Sequence, residues 1–192
     1  MSTENTNIET KFQSPFPILK SIRDWVLGST QPDIYTRLAF YINLIITFLF
    51  LAWNTVVFIV MQFQDLILTH KTVDLKTLLE KQFSKAHIPT EDILEKMGSF
   101  NQLQFIIWFT VLFSSILLYR KKTLFIWFLI APVLALIFFS IYLFNGQFFQ
   151  AYFSNFDQIA LLILILNSIF YFIKLNRELH GSSTNFFGLE DE

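Results

Sequence analysis

The chain has 192 residues, of which 54% are hydrophobic and only 15% charged, with a net charge of −1, 25 Phe, 5 Gly and no Cys. Its mean hydropathy is +0.50. This excludes a disordered chain, a disulfide scaffold and a protein that grips nucleic acid by bulk positive charge, and it points to an integral membrane protein.

Residues 1–16 are polar and read as a disordered tail. From Pro17 the pattern becomes helical: Ile18, Ile22, Trp25 and Val26 share one face, with Lys20, Arg23 and Asp24 opposite. A short basic amphipathic helix before a membrane entry lies in the interface plane, so 17–29 is expected to be an in-plane helix. Gly28, Ser29 and Pro32 break it.

A bilayer core about 30 Å thick needs roughly 20 apolar residues per crossing. Span one covers 38–63 without a charge, and Asn43, Thr47 and Asn54 fall on one of its faces. The first apolar stretch is too long and too far from the start to read as a cleaved signal. Residues 64–102 form the larger loop. Within it Leu75, Leu78, Leu79 and Phe83 make an amphipathic helix with Asp74 near its positive end. Ile88-Pro89 ends that helix, and Thr90 is placed to cap a second one through Glu91, Asp92, Ile93, Leu94, Met97 and Phe100, weakened by Gly98. An external helical pair at 72–97 is therefore expected.

Span two covers 103–119, with Thr110, Ser114 and Ser115 as its hydroxyl side chains. Arg120-Lys121-Lys122 turns it into span three, 123–144, which carries Ser140, the small pair Ala131-x-x-x-Ala135 and a kink-prone Pro132. Asn145-Gly146 starts an aromatic helix at 147–156. Its Phe148, Phe149, Tyr152, Phe153 and Phe156 line one face as a candidate lipid or partner surface, opposite Gln150, Ser154 and Asp157. Span four covers 159–173 and contains Asn167 and Ser168. The acidic tail 179–192 carries Phe186 and Phe187, readable either as a docking motif or as a bilayer contact.

The basic triplet sets the orientation, because cytoplasmic loops are rich in Lys and Arg. With the triplet inside, both termini are inside. Nine basic residues (Lys11, Lys20, Arg23, Arg37, Arg120, Lys121, Lys122, Lys174, Arg177) then lie in the cytoplasm and five outside. The Asn, Lys, Phe and Ile usage is that of an AT-rich genome, and a bacterial inner membrane is the expected location.

The spans hold neutral polar residues and no charge. Asn43, Thr47, Asn54, Ser114, Ser115 and Asn167 are expected to make interhelical polar contacts, since buried polar groups in lipid seek partners. No metal, nucleotide or nucleophile motif is present, so no cofactor, metal or nucleic acid is expected. Asp65, His70, His87 and Asp157 are the candidates for outer-face lipid chemistry, which requires them to converge. The sequence thus describes an all-α integral membrane protein: a four-helix transmembrane bundle with an external helical pair and in-plane interfacial helices. It is read as a non-catalytic accessory or scaffold subunit binding another membrane or envelope protein, or a second copy of itself. The alternative is a small transport or channel component whose path is lined by Asn43, Thr47 and Asn54 after oligomerisation.

Overall fold

A computed structural model describes residues 17–28, 32–63, 74–85, 87–88 and 92–180. The expectations for the 1–16 tail, Asp65, His70, the Thr90–Glu91 cap and Phe186–Phe187 lie outside the described residues. The chain divides into two compact units, Met1–Gln31 and Pro32–Glu192. The first contains helix α1, Pro17–Leu27. Arg23 pairs with Asp24 at 2.6 Å, and Trp25 is exposed. Gly28 stops the helix at φ +96°, a conformation a side chain rarely adopts, with its N–H donating back to the Asp24 carbonyl.

The second unit contains α2 (Ile34–Gln62), α3 (Leu75–Lys85), α4 (Ile93–Tyr119), α5 (Phe125–Leu143), α6 (Gly146–Tyr152) and α7 (Asn155–His180), with no strand among the described residues. Four of these, α2, α4, α5 and α7, are long and apolar enough to cross a membrane. The 19 residues of α5 rise about 28 Å, close to a hydrocarbon core of about 30 Å. The 29 residues of α2 rise about 43 Å, so α2 must tilt or project beyond the core.

The bundle is organised by a seam. In α2 the buried residues include Thr36, Phe40, Asn43, Thr47, Phe50 and Asn54, alternating steps of four and three. In α4, Ile93, Met97, Phe100, Gln104, Ile107, Val111, Ser114 and Leu118 follow the same rule. This 3.5-residue period is that of knobs-into-holes packing between gently crossed helices. Along it α2 packs on α4 and α7, and α4 packs on α5.

Three of the four spans, α2, α4 and α7, start before their expected limits because caps and amphipathic turns extend them, whereas α5 lies within its expected 123–144. Asp33 caps α2 by accepting from the Thr36 N–H, which starts the helix four residues before Leu38. Ser154 and Asp157 form a reciprocal capping box (Ser154 N–H to Asp157 Oδ2, 2.9 Å; Asp157 N–H to Ser154 Oγ, 3.2 Å) that starts α7 at Asn155.

Two expectations are corrected. Residues 93–100 are not a second external helix. They are the first two turns of α4, because Ile93, Met97 and Phe100 continue the buried seam and Gly98 sits inside the helix without breaking it. Of the expected helical pair at 72–97, the described residues therefore keep only α3 as a separate helix. The aromatic helix is also not a single face over 147–156. It ends at Tyr152, extended backbone at Phe153 follows, and Phe156 belongs to α7. Pro132 lies within α5, which continues through it.

Candidate functional site

The polar side chains of the spans come first, since each must find a partner where water is absent. Asn43, Thr47, Asn54, Ser114 and Ser115 are buried and Asn167 is half-buried. Asn43 donates to Ser168 Oγ at 2.9 Å, and Asn167 Nδ2 donates to Asn43 Oδ1 at 2.7 Å and to the Ala39 carbonyl at 3.0 Å. This triad joins α2 to α7. Asn54 and Asn101 clasp each other: Asn54 Nδ2 donates to the Asn101 carbonyl at 3.3 Å, while Asn101 Nδ2 donates to the Asn54 carbonyl at 3.1 Å and to Asn54 Oδ1. This pair joins α2 to α4. Ser114 donates to the Phe125 carbonyl at 2.7 Å and ties α4 to the start of α5. Thr47 and Ser115 instead bond the carbonyls of Asn43 and Val111 one turn back on their own helices. The polar face of α2 is thus spent on neighbouring protein atoms. Asn101 and Gln104 are buried polar residues to which the spacing of the sequence assigns no role, the first because it falls in the loop expected at 64–102, whereas Ser168 is among the polar residues expected in span four.

A charged cluster closes one end of the bundle. Asp33, at the start of α2, receives Lys174 Nζ at 2.6 Å and Lys121 Nζ at 2.9 Å, and it also accepts from the Thr36 hydroxyl. Glu178 meets Lys174 at 3.2 Å and Lys121 at 3.6 Å. The Lys174 ammonium lies 4.4 Å from the centre of the Tyr35 ring, and the Thr36 and Tyr171 hydroxyls are 2.9 Å apart beneath it. Burial pushes the Asp33 carboxyl up, but hydrogen bonds from Lys174, Thr36 and Lys121, and the Lys121 charge, outweigh it and hold the carboxyl well below its usual range. The Asp33 hydrogen bond, against burial, holds Lys121 above its ordinary value. Lys121 stands at φ +55°, where the turn ends α4: the Lys122 N–H reaches the Leu117 carbonyl and the Lys121 N–H the Leu118 carbonyl, both at 2.9 Å. Glycine normally fills this position. Here a lysine fills it and sends its ammonium to Asp33.

At the opposite end the aromatic residues form a core. Phe148 is fully buried, stacked on Phe144 at 3.9 Å and on Tyr152 at 5.0 Å, with Phe100 edge-on to all three. Phe50 stacks on Trp108 at 4.3 Å and meets Phe153 edge-on. Of the five residues expected to form a lipid or partner surface, Phe148 and Phe153 are therefore core, Phe149 and Tyr152 are half-buried, and Phe156 alone is exposed. The physical reason is that α6 turns its ring face into the gap left by α3, α4 and α5. Asn145 sets this geometry. Its Oδ1 caps α6 by accepting from the Gln147 and Phe148 N–H groups, and its Nδ2 donates to the His87 carbonyl at the end of α3.

Beside this core, four buried polar atoms complete no hydrogen bond among the described residues: Asn101 Oδ1, Gln104 Nε2, Trp108 Nε1 and the Tyr152 hydroxyl. Three come from one face of α4. Burial pushes the Tyr152 phenol up to about 12 against the nearby Gln104 side chain, so it stays protonated at any ordinary pH.

Of the candidates for outer-face chemistry, His87 and Asp157 fall among the described residues. Asp157 is spent in the capping box, and His87 is exposed at the end of α3 with φ +54°. Among the described residues no three His, Cys, Asp or Glu side chains converge to hold a metal.

A groove of about 720 Å³ opens between α2 and α3, with Met97 of α4 and Tyr152 of α6 also lining it. It exists because α3 rests on α4 rather than on α2. No family model, curated protein or solved structure matches the chain.

Proposed function

We propose that the chain is a non-catalytic multi-pass membrane protein that serves as an accessory or scaffold subunit for another membrane protein. The observation that carries this reading is the outer face of α5. Trp127, Ala131, Leu134, Phe138 and Tyr142 are exposed along one side of the helix, with Ala135 half-buried at its edge. The buried residues Phe125, Leu129, Val133, Leu136 and Ser140 lie on the other side. The small pair Ala131–Ala135 is thereby turned away from the bundle, forming a notch between aromatic side chains. Small residues let helix backbones approach closely in lipid, and large rings beside them supply packing area. The polar groups that join helices are engaged inside the bundle, so the partner is expected to dock by shape.

In this reading both termini are cytoplasmic, α1 lies in the plane of the inner interface, α3 and α6 face outward, and the membrane is a bacterial inner membrane. The charged cluster then sits at the cytoplasmic end, where the Lys-rich hairpin belongs.

Purification of the tagged full-length chain from native membranes in mild detergent, followed by mass spectrometry, is expected to recover a stoichiometric membrane partner. Ala131→Leu with Ala135→Leu fills the notch and is expected to lose that partner while keeping the melting temperature of the bundle. A single monodisperse chain from native membranes, or a partner retained by the notch-filled variant, would overturn the reading.

A further inference from the structure

We propose that the groove between α2 and α3 is a binding site for one anionic phospholipid, with an acyl chain along α2 and the phosphate at Lys85. This site is on a different surface from the α5 face and stands without it.

Three observations carry it. First, the wall from Trp53 through Val56 to Met61 belongs to a membrane-crossing helix, and Trp53, Val56 and Val60 are exposed there. The groove is therefore open sideways to hydrocarbon, and a lipid tail reaches it without crossing water. Second, its volume of about 720 Å³ lies within the roughly 300–1,000 Å³ of pockets that bury a small ligand in an apolar lining with a few polar groups. Leu78 and Leu79 supply the facing apolar wall. Third, the charge is complementary. Helix α3 carries Lys76, Lys81 and Lys85 against the single carboxylate Glu80. Glu80 lies one turn from Lys76, at 3.9 Å, whereas Lys85 lines the groove together with Gln82. Helix α3 is too short to cross the bilayer and is the next described element after α2, so its lysine lies toward headgroup depth while the α2 wall runs inward. A neutral or zwitterionic lipid would fit the apolar wall equally but would gain less at Lys85. An acidic peptide would gain at Lys85 but would leave its backbone unsatisfied against Val56 and Trp53.

The test is native mass spectrometry of the delipidated full-length chain with added phosphatidylglycerol or phosphatidylcholine of identical acyl chains. One phosphatidylglycerol is expected to remain bound, about fivefold tighter than phosphatidylcholine, the worth of one lysine near an anionic headgroup. Lys85→Gln is expected to remove that preference and leave phosphatidylcholine binding unchanged. Leu79→Trp, which fills the groove, is expected to weaken both lipids. Since the chain has no cysteine, Leu78→Cys can carry a single photocrosslinker in native membranes. A lipid-sized adduct supports the proposal, and a crosslink to a second copy or to another polypeptide overturns it. Equal lipid preference in Lys85→Gln and the parent, or full binding by Leu79→Trp, would also overturn it. Loss of the α5 partner would leave these readouts unchanged, so the two readings fail separately.

Discussion

Asn54 and Asn101 show how much one polar side chain decides in this bundle. Each amide is bonded to the other residue's backbone, so removing one leaves unsatisfied groups on two helices. Asn101→Ala is expected to cost about 1–2 kcal/mol, read as a lower melting temperature in detergent. Asn43→Ala, which strips Asn167 and Ser168 of a partner, is expected to cost a similar amount. Tyr152→Phe is the contrast. Its hydroxyl is buried with no hydrogen bond among the described residues, so its removal is expected to leave stability unchanged or raise it by up to about 1 kcal/mol; a loss larger than that in the same melt would mean the hydroxyl is satisfied after all. Asn43, Asn54 and Asn167 are legible in the sequence because an amide in an apolar run has few alternatives to a cross-helix partner, whereas Asn101 is not, since it lies outside the expected span. The hydroxyls were legible only as buried, because Ser and Thr can satisfy themselves on the carbonyl one turn back, as Thr47 and Ser115 do.

At the scale of elements, the differences between sequence and structure gather at helix ends. Helices α2 and α7 each start four residues before the expected spans, at the recognisable caps Asp33 and Ser154-x-x-Asp157. The sequence separates a loop helix through Phe100, weakened by Gly98, from a span starting at 103, but the seam through Ile93, Met97, Phe100 and Gln104 makes them one helix and overrides one weak residue. Gly98 is not required by space: a Cβ there would meet only the Met61 Cε, at 4.0 Å. Gly98→Ala is therefore expected to stabilise α4 by about 0.5–1 kcal/mol, visible as a higher melting temperature with unchanged helical content. The α6 face could not be read from its own spacing, because Phe148 and Phe153 look alike whether they meet lipid or protein. The deciding contact comes from Asn145 reaching His87, 58 residues away in sequence.

For the whole molecule, four crossings were legible from hydropathy, whereas the charged cluster was not, since it joins residues from three separate helix ends. Its pH response follows from Asp33. The carboxyl is held below its ordinary value of 3.8, so its stabilising contribution is fully present above that value and is lost as pH falls through it toward the folded value. The melting temperature is expected to be insensitive to this group between roughly pH 7 and pH 5 and to fall between roughly pH 4 and pH 2. Asp33→Asn is expected to be less stable at neutral pH and to lack that acid slope. The same connectivity imposes an order on biosynthesis. The C-terminal half of α2 can lock through Asn54 as soon as Asn101 has been made, 47 residues later. Its N-terminal half waits far longer: Asn43 is answered by Ser168 after 125 residues and Asp33 by Lys174 after 141. A nascent chain therefore carries the first three turns of α2 without these partners until α7 emerges. Cutting translation short before α7 would leave an amide open to hydrocarbon, a ready mark for membrane quality control.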